Sequence, residues 1–265
     1  MSYTDQPVPT PKPLPVPGES QLLSALRDHP DDYALFLDID GTLLDLAEVP
    51  DAIVVPPSLP AELDALSQKL GGALALVTGR GLEYASALFA PFPFPIAGLH
   101  GAELRWPGGD ITRAEATPAF EQLKRDLRDA TKDLVGVLIE DKGAAVAAHY
   151  RLAPEKQTEL EPVMQAFLAA AGPNWTLQRG KMVLEIRPAS ADKGRAVEAF
   201  LARPPFSGRR PITIGDDVTD EAMFRVANQR GGHSIRVGQP HQETEASMIL
   251  PAASALRELI ARLAV

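Results

Sequence analysis

The chain of 265 residues contains no cysteine. Disulfides, thiol nucleophiles and thiolate metal sites are therefore excluded, and oxygen and nitrogen groups must carry any chemistry. Positive charge is scarce: 26 Lys and Arg stand against 35 Asp and Glu, a formal net charge of −9. Nucleic-acid binders carry a basic face, so this balance argues against such a partner. An anionic substrate would be repelled from afar and would need a metal ion or a few well-placed cations nearby. The few histidines, among them His100, His149, His233 and His241, lack metal-ligand spacing. No Ser/His/Asp arrangement and no GxxxxGK[ST] nucleotide loop is present. No apolar run approaches the roughly 18 residues of a membrane span. A basic segment followed by an apolar core is also missing at the N-terminus, so no secretory signal is expected and the cytoplasm is the default compartment.

What is plentiful is proline, and much of it comes early. The run PVPTPKPLPVP, Pro7 to Pro17, has proline at every second position. It predicts an extended, disordered tail over residues 1–20, outside the fold. Three later segments share one design: Tyr33 to Leu37, Ala73 to Gly79 and Pro211 to Asp217. The first is apolar throughout with acids directly after it, and the other two run from apolar to small polar or acidic residues. Continuous apolar runs suit strands buried on both faces of a parallel sheet. Helical patterns lie between them, at Pro60 to Lys69, Gly81 to Phe89, Lys193 to Ala202 and Asp220 to Ala227. This alternation predicts an α/β fold with a doubly wound, Rossmann-like parallel-sheet core, whose ligands bind beyond the carboxyl ends of the strands.

The middle of the chain changes character. A helix is expected from Pro118 to Leu134 and another from Glu155 to Ala170. Each is followed by a hairpin, one turning at Asp141-Lys142-Gly143 and one at Arg179-Gly180-Lys181. We read residues 113–187 as an inserted α+β cap, with 21–112 and 188–265 forming the core. Arg105 to Arg113 and Arg187 to Ala191 are the candidate hinges.

Four motifs fall at the expected strand ends. Asp38-Ile39-Asp40-Gly41-Thr42 places two carboxylates at i and i+2, which repel unless a cation joins them or one stays protonated. Magnesium, held by oxygen ligands, removes that conflict. Thr78-Gly79-Arg80 precedes a helix and offers a hydroxyl and backbone N–H groups to a phosphate oxygen. Lys193 heads another helix and can neutralise a phosphoryl group. Gly215-Asp216-Asp217-Val218-Thr219-Asp220-Glu221 gathers four acids, and a helix dipole accounts for Asp220 and Glu221 better than for Asp216 and Asp217. Together the four suit phosphoryl transfer, in which one aspartate attacks phosphorus and another moves the proton.

DIDGT, TGR, the lysine before a glycine at a helix start, and GDDVTDE resemble the four-motif signature of the haloacid dehalogenase superfamily. The resemblance implies Asp38 as nucleophile, Asp40 as general acid/base, and Thr78 and Lys193 as phosphate contacts, with Gly79 and Arg80 beside them. It implies Mg2+ held by Asp38, Asp40 and Asp216, with Asp217 or Asp220 in support. GLHGAE at Gly98 to Glu103, Glu140 to Gly143, His149-Tyr150-Arg151 and Gly180 to Pro188 are similar to segments of trehalose-6-phosphate phosphatases. That narrower resemblance, over about Ala34 to Gly238, implies a magnesium-dependent phosphatase that acts on trehalose 6-phosphate. Cap residues Glu140, Lys142, Lys181 and Glu185 then become sugar contacts. Sucrose phosphate, mannosyl-phosphoglycerate and a non-catalytic sensor are the alternatives. The expected enzyme is a cytoplasmic monomer whose partner is a small molecule, with no nucleic acid and no membrane.

Overall fold

The computed structural model describes residues 16–46, 53–180, 182–239 and 243–265. Lys181, His241 and most of the proline run lie outside the described residues. Where that run ends, the structure corrects the sequence reading. Val16–Pro17 form a short strand, β1, and helix α1 (Glu19–Asp28) already begins before residue 20. Proline lacks the N–H of a central strand but is tolerated at a sheet edge, and β1 is an edge strand.

From there the chain alternates strand and helix: β2 (Tyr33–Leu37), α2 (Leu59–Lys69), β3 (Leu74–Val77), α3 (Leu82–Leu88) and β4 (Ile96–Gly98). Every residue of β2 and β3 is buried, as uninterrupted apolar runs require in a sheet covered on both faces. Two short strands follow, β5 (Glu103–Arg105) and β6 (Ile111–Arg113), which continue the sheet antiparallel beyond β4. The Trp106 to Asp110 turn thus closes a hairpin of the core sheet.

Next comes a separate α+β layer: α4 (Pro118–Thr131), β7 (Leu138–Asp141), β8 (Val146–His149), α5 (Gln157–Ala171), β9 (Trp175–Gly180) and β10 (Val183–Pro188). Thr117 caps α4 by accepting from Phe120 N at 3.2 Å. The four strands pair antiparallel in the order β7-β8-β10-β9. Alternation decides what each face does. Val146, Ala148, Leu184 and Ile186 pack with Phe120, Leu127, Leu160 and Met164 of the two helices. The opposite face carries the cross-strand row Glu140, Ala147, Glu185 and Gln178. One face builds a small core, and the other is left for polar work.

The chain then returns through α6 (Lys193–Leu201), β11 (Arg210–Gly215), α7 (Glu221–Gln229), β12 (His233–Val237), β13 (Met248–Leu250) and α8 (Ala253–Ala264). The large sheet has the order β1-β13-β12-β11-β2-β3-β4-β5-β6 and is parallel from β1 to β4. From β2 the chain moves one way to β3 and later returns on the other side as β11. The carboxyl ends of these three neighbours therefore surround a topological switch point, where open α/β sheets bind ligands.

Candidate active site

Three strand ends and one helix start meet at that point. Asp38 follows β2, Thr78 follows β3, Asp216 follows β11, and Lys193 is the first residue of α6. Asp192 caps α6 by accepting from Arg195 N at 3.0 Å, which fixes the entry of the lysine. Lys193 Nζ donates to Asp38 Oδ1 at 2.7 Å and to Asp220 Oδ1 at 2.6 Å. All three side chains are buried. Thr42 Oγ1 donates to Asp216 Oδ1 at 3.1 Å, so the threonine of the first motif orients the acid of the fourth. Gly41 has φ +78°, and a Cβ there would stand 2.1 Å from Asp216 Oδ2. Only glycine lets these two loops meet.

The electrostatics ask for a cation. Oxygen atoms of Asp38, Asp216 and Asp220 lie within 4.8 Å of one another. Against three carboxylates stands one ammonium. Burial pushes the Asp38 carboxyl well above its usual range; Asp220 and Asp216 add to this, and Lys193 opposes it. Asp216 is raised from 3.8 to about 6, by burial first and then by Asp220. Burial alone would lower the Lys193 ammonium, but Asp220 and Asp38 outweigh it and the net shift is upward. An all-oxygen donor set with this surplus of negative charge fits a hard divalent metal ion.

The structure separates residues that the sequence grouped. The Asp217 carboxylate caps the short 3-10 turn Val218–Asp220, accepting from Val218 N at 2.7 Å, and is not in the acidic cluster. Asp220 takes that place: the turn folds it back so that its Oδ2 accepts from both Asp216 N and Asp217 N at 2.9 Å. The Asp40 side chain also stands apart from the cluster. Arg80 holds it in a two-pronged pair, Nε to Oδ2 at 2.7 Å and Nη2 to Oδ1 at 2.8 Å. Thr78 is fully buried, and its Oγ1 accepts from Arg80 N at 3.1 Å. Its hydroxyl proton remains to be given to a ligand.

A cavity of about 700 Å3 opens from Gly79 and Arg80 toward the cap, where Glu140, Lys142 and His149 line it. Such volumes hold small molecules. Lys142 Nζ donates to Glu185 Oε2 at 2.7 Å, and the His149 ring meets Glu140 Oε2 at 2.8 Å. The hydrogen bond to His149 is the main reason that the Glu140 carboxyl is lowered. Sequence reasoning missed Lys124. It lies buried on α4 and donates to Asp141 Oδ1 at 2.8 Å and Gly143 O at 3.0 Å. It thereby holds the hairpin turn that presents Lys142. Its signal was a lysine in the apolar phase of an amphipathic helix.

The doubly wound core that carries this lysine-bridged carboxylate cluster is similar in fold to a phosphatase of the HAD enzyme superfamily from Bacteroides thetaiotaomicron, with a TM-score of 0.60 at 16% identity over 89% of this chain and 97% of that one. Residues 36–251 match the trehalose-phosphatase family model. A probable trehalose-phosphate phosphatase of Sinorhizobium fredii is 66% identical over 242 residues, 91% of each chain. Trehalose-6-phosphate phosphatase of Escherichia coli is 40% identical over 207 residues, 78% of this chain and 77% of that one. In fold, the chain is similar to the C. albicans trehalose-6-phosphate phosphatase C-terminal domain. The TM-score is 0.81 at 21% identity, over 94% of this chain and 98% of that one. The chain belongs to the trehalose-phosphatase family.

Proposed function

We propose that the chain hydrolyses trehalose 6-phosphate to trehalose and phosphate, through an aspartyl-phosphate formed on Asp38 and with Mg2+ as the cation. The observation that carries the reading is the buried Lys193 bridge, which fixes the rotation of Asp38 at the switch point. Asp38, Asp216 and Asp220 are the side chains that would hold the metal, with Asp40 contributing from its main chain. When bound, Mg2+ neutralises the carboxylates and the phosphoryl oxygens.

An Asp38 oxygen attacks phosphorus in line, and the bond from phosphorus to the sugar oxygen breaks. Thr78 and Lys193 hold the phosphoryl group. Asp40 gives its proton to the departing sugar oxygen. Asp40 then removes a proton from water, which attacks the aspartyl-phosphate and releases phosphate. For this, the Arg80 fork on Asp40 must open. Glu140 on the cap lies within electrostatic reach of Arg80 and is its alternative partner. Glu140, Lys142 and Glu185 read sugar hydroxyls from the polar cap face. A cytoplasmic monomer is part of the proposal, and light scattering of the purified chain tests the second half of it.

The test is phosphate release from trehalose 6-phosphate, sucrose 6-phosphate, mannosyl-phosphoglycerate and glucose 6-phosphate, with Mg2+ and with chelator. Strong, metal-dependent preference for the first is expected. Preference for another sugar phosphate would overturn the substrate, and no turnover would overturn the enzyme reading.

A further inference from the structure

Buried polar groups normally find partners, and the few that do not mark places where something else belongs. Among the described residues, six buried side-chain atoms have no hydrogen-bonding partner. Four of these belong to one group: His100 Nδ1, Glu185 Oε1, and Arg187 Nε and Nη1. Glu185 and Arg187 are two apart on β10 and so share its polar face. Each acts electrostatically on a neighbour in the group, Glu185 on Arg187 and Arg187 on His100.

The group is built rigidly. Arg187 Nη2 donates to Gln178 Oε1 at 3.2 Å, which orients the guanidinium plane and leaves Nε and Nη1, on either side of that bond, without partners. Glu185 gives Oε2 to Lys142 at 2.7 Å and keeps Oε1 free. His100 sits in the left-handed region at φ +57°, with its ring against Gly79, where a Cβ would stand 2.8 Å away. Burial, then Lys193, Arg187 and Lys142, lower the imidazole well below its ordinary value, so the ring is neutral. Two separately directed donors beside a carboxylate acceptor are the wrong set for a phosphoryl group, which Glu185 would repel. Hydroxyls accept and donate at once, so they fit both partners.

We propose that Arg187 is a specificity-determining residue: its Nε–H and Nη1–H donate to hydroxyl oxygens of the substrate's sugar, while Glu185 accepts from a neighbouring hydroxyl. The proposal rests on the sugar-phosphate reading of the site. Arg187 lies where the cap strand returns to the core, so the same contacts tie a bound sugar to the cap's hinge.

The test compares kcat/KM for trehalose 6-phosphate with kcat/KM for p-nitrophenyl phosphate, which has no sugar. Wild type, Arg187→Met and Arg187→Lys are measured at saturating Mg2+. In Arg187→Met the ratio should fall about 10- to 100-fold, mostly through KM for the sugar phosphate. Arg187→Lys should recover part of it, because an ammonium replaces the planar fork with a point donor. A ratio within about twofold of wild type in both variants would overturn the proposal, since a phosphoryl contact or a packing role moves both substrates together. Should Arg187→Met fail to fold, Arg187→Lys decides by the same ratio. A wild type that prefers another sugar phosphate sinks the substrate reading alone, and the ratio is then taken with that sugar.

Discussion

Replacing Lys193 with methionine tests how the centre is held together. The ammonium bridges Asp38 and Asp220 at 2.7 and 2.6 Å, with side-chain exposures of 3%, 6% and 0%. Methionine keeps the length of the side chain and removes the charge, leaving two buried carboxylates without their cation. Breaking a buried pair in this way costs about 3–5 kcal/mol. At roughly 2–4 °C per kcal/mol for a chain of this size, Tm should fall by about 6–20 °C. Lys156 provides the control. It meets Glu159 at a similar 2.8 Å, but with 28% and 55% exposure. Lys156→Met should cost about 0.5 kcal/mol or less. The assay is thermal unfolding in chelator, followed by tryptophan fluorescence. Acid should narrow the gap, because Asp38 takes up its proton at higher pH than an ordinary carboxyl. A loss below about 2 °C for Lys193→Met, or equal losses for the two variants, would refute the argument that burial makes this bridge matter.

Three further outcomes follow from the same geometry. Asp216 is raised to about 6 when no metal is bound, so its contribution to stability is full below about 4 and is lost as pH rises through 6, by roughly 3 kcal/mol. Metal-free protein should therefore lose stability from this group between pH 5 and 7, and Mg2+ should raise Tm more at pH 7 than at pH 5; calorimetry at both values checks this. Gly41→Ala places a methyl 2.1 Å from Asp216 Oδ2 at a φ of +78°, so turnover should fall about 100-fold as the acid proposed to hold the metal is displaced. Steady-state kinetics at several Mg2+ concentrations reads that loss. Glu185→Gln removes the charge that pairs with Lys142 and should lower kcat/KM for the sugar phosphate about 10- to 100-fold, chiefly through KM.

The parts of the fold that were legible in the sequence are those where burial leaves a simple mark. Tyr33–Leu37 and Leu74–Val77 are apolar throughout because both faces of the sheet are covered. The polar residues that end such runs stand out by contrast, and this is why Asp38, Thr78 and Asp216 could be placed at strand ends. The two cap hairpins were legible through their turn residues. Strands β5 and β6 were not read, since three-residue strands are too short to show alternation and Trp106 to Asp110 looks like a boundary turn. Choosing between Asp217 and Asp220 needed the 3-10 turn, because a run of acids does not reveal which carboxylate turns inward to Lys193. The Arg80 fork on Asp40 joins residues forty apart in sequence and leaves no local pattern. The unpartnered Nε and Nη1 of Arg187 depend on what packs around a buried side chain, which no local sequence pattern records.

The central claim is that Asp38 carries the phosphoryl group. Rapid acid quench of a single turnover of trehalose 6-phosphate, followed by mass spectrometry of the peptide that holds Asp38, tests it most directly. With Mg2+, the wild type should show a phosphoryl adduct on Asp38 that decays as free phosphate appears, and neither Asp38→Asn nor chelated enzyme should show it. Phosphate release by Asp38→Asn at the wild-type rate, or an adduct on another residue, would contradict the account.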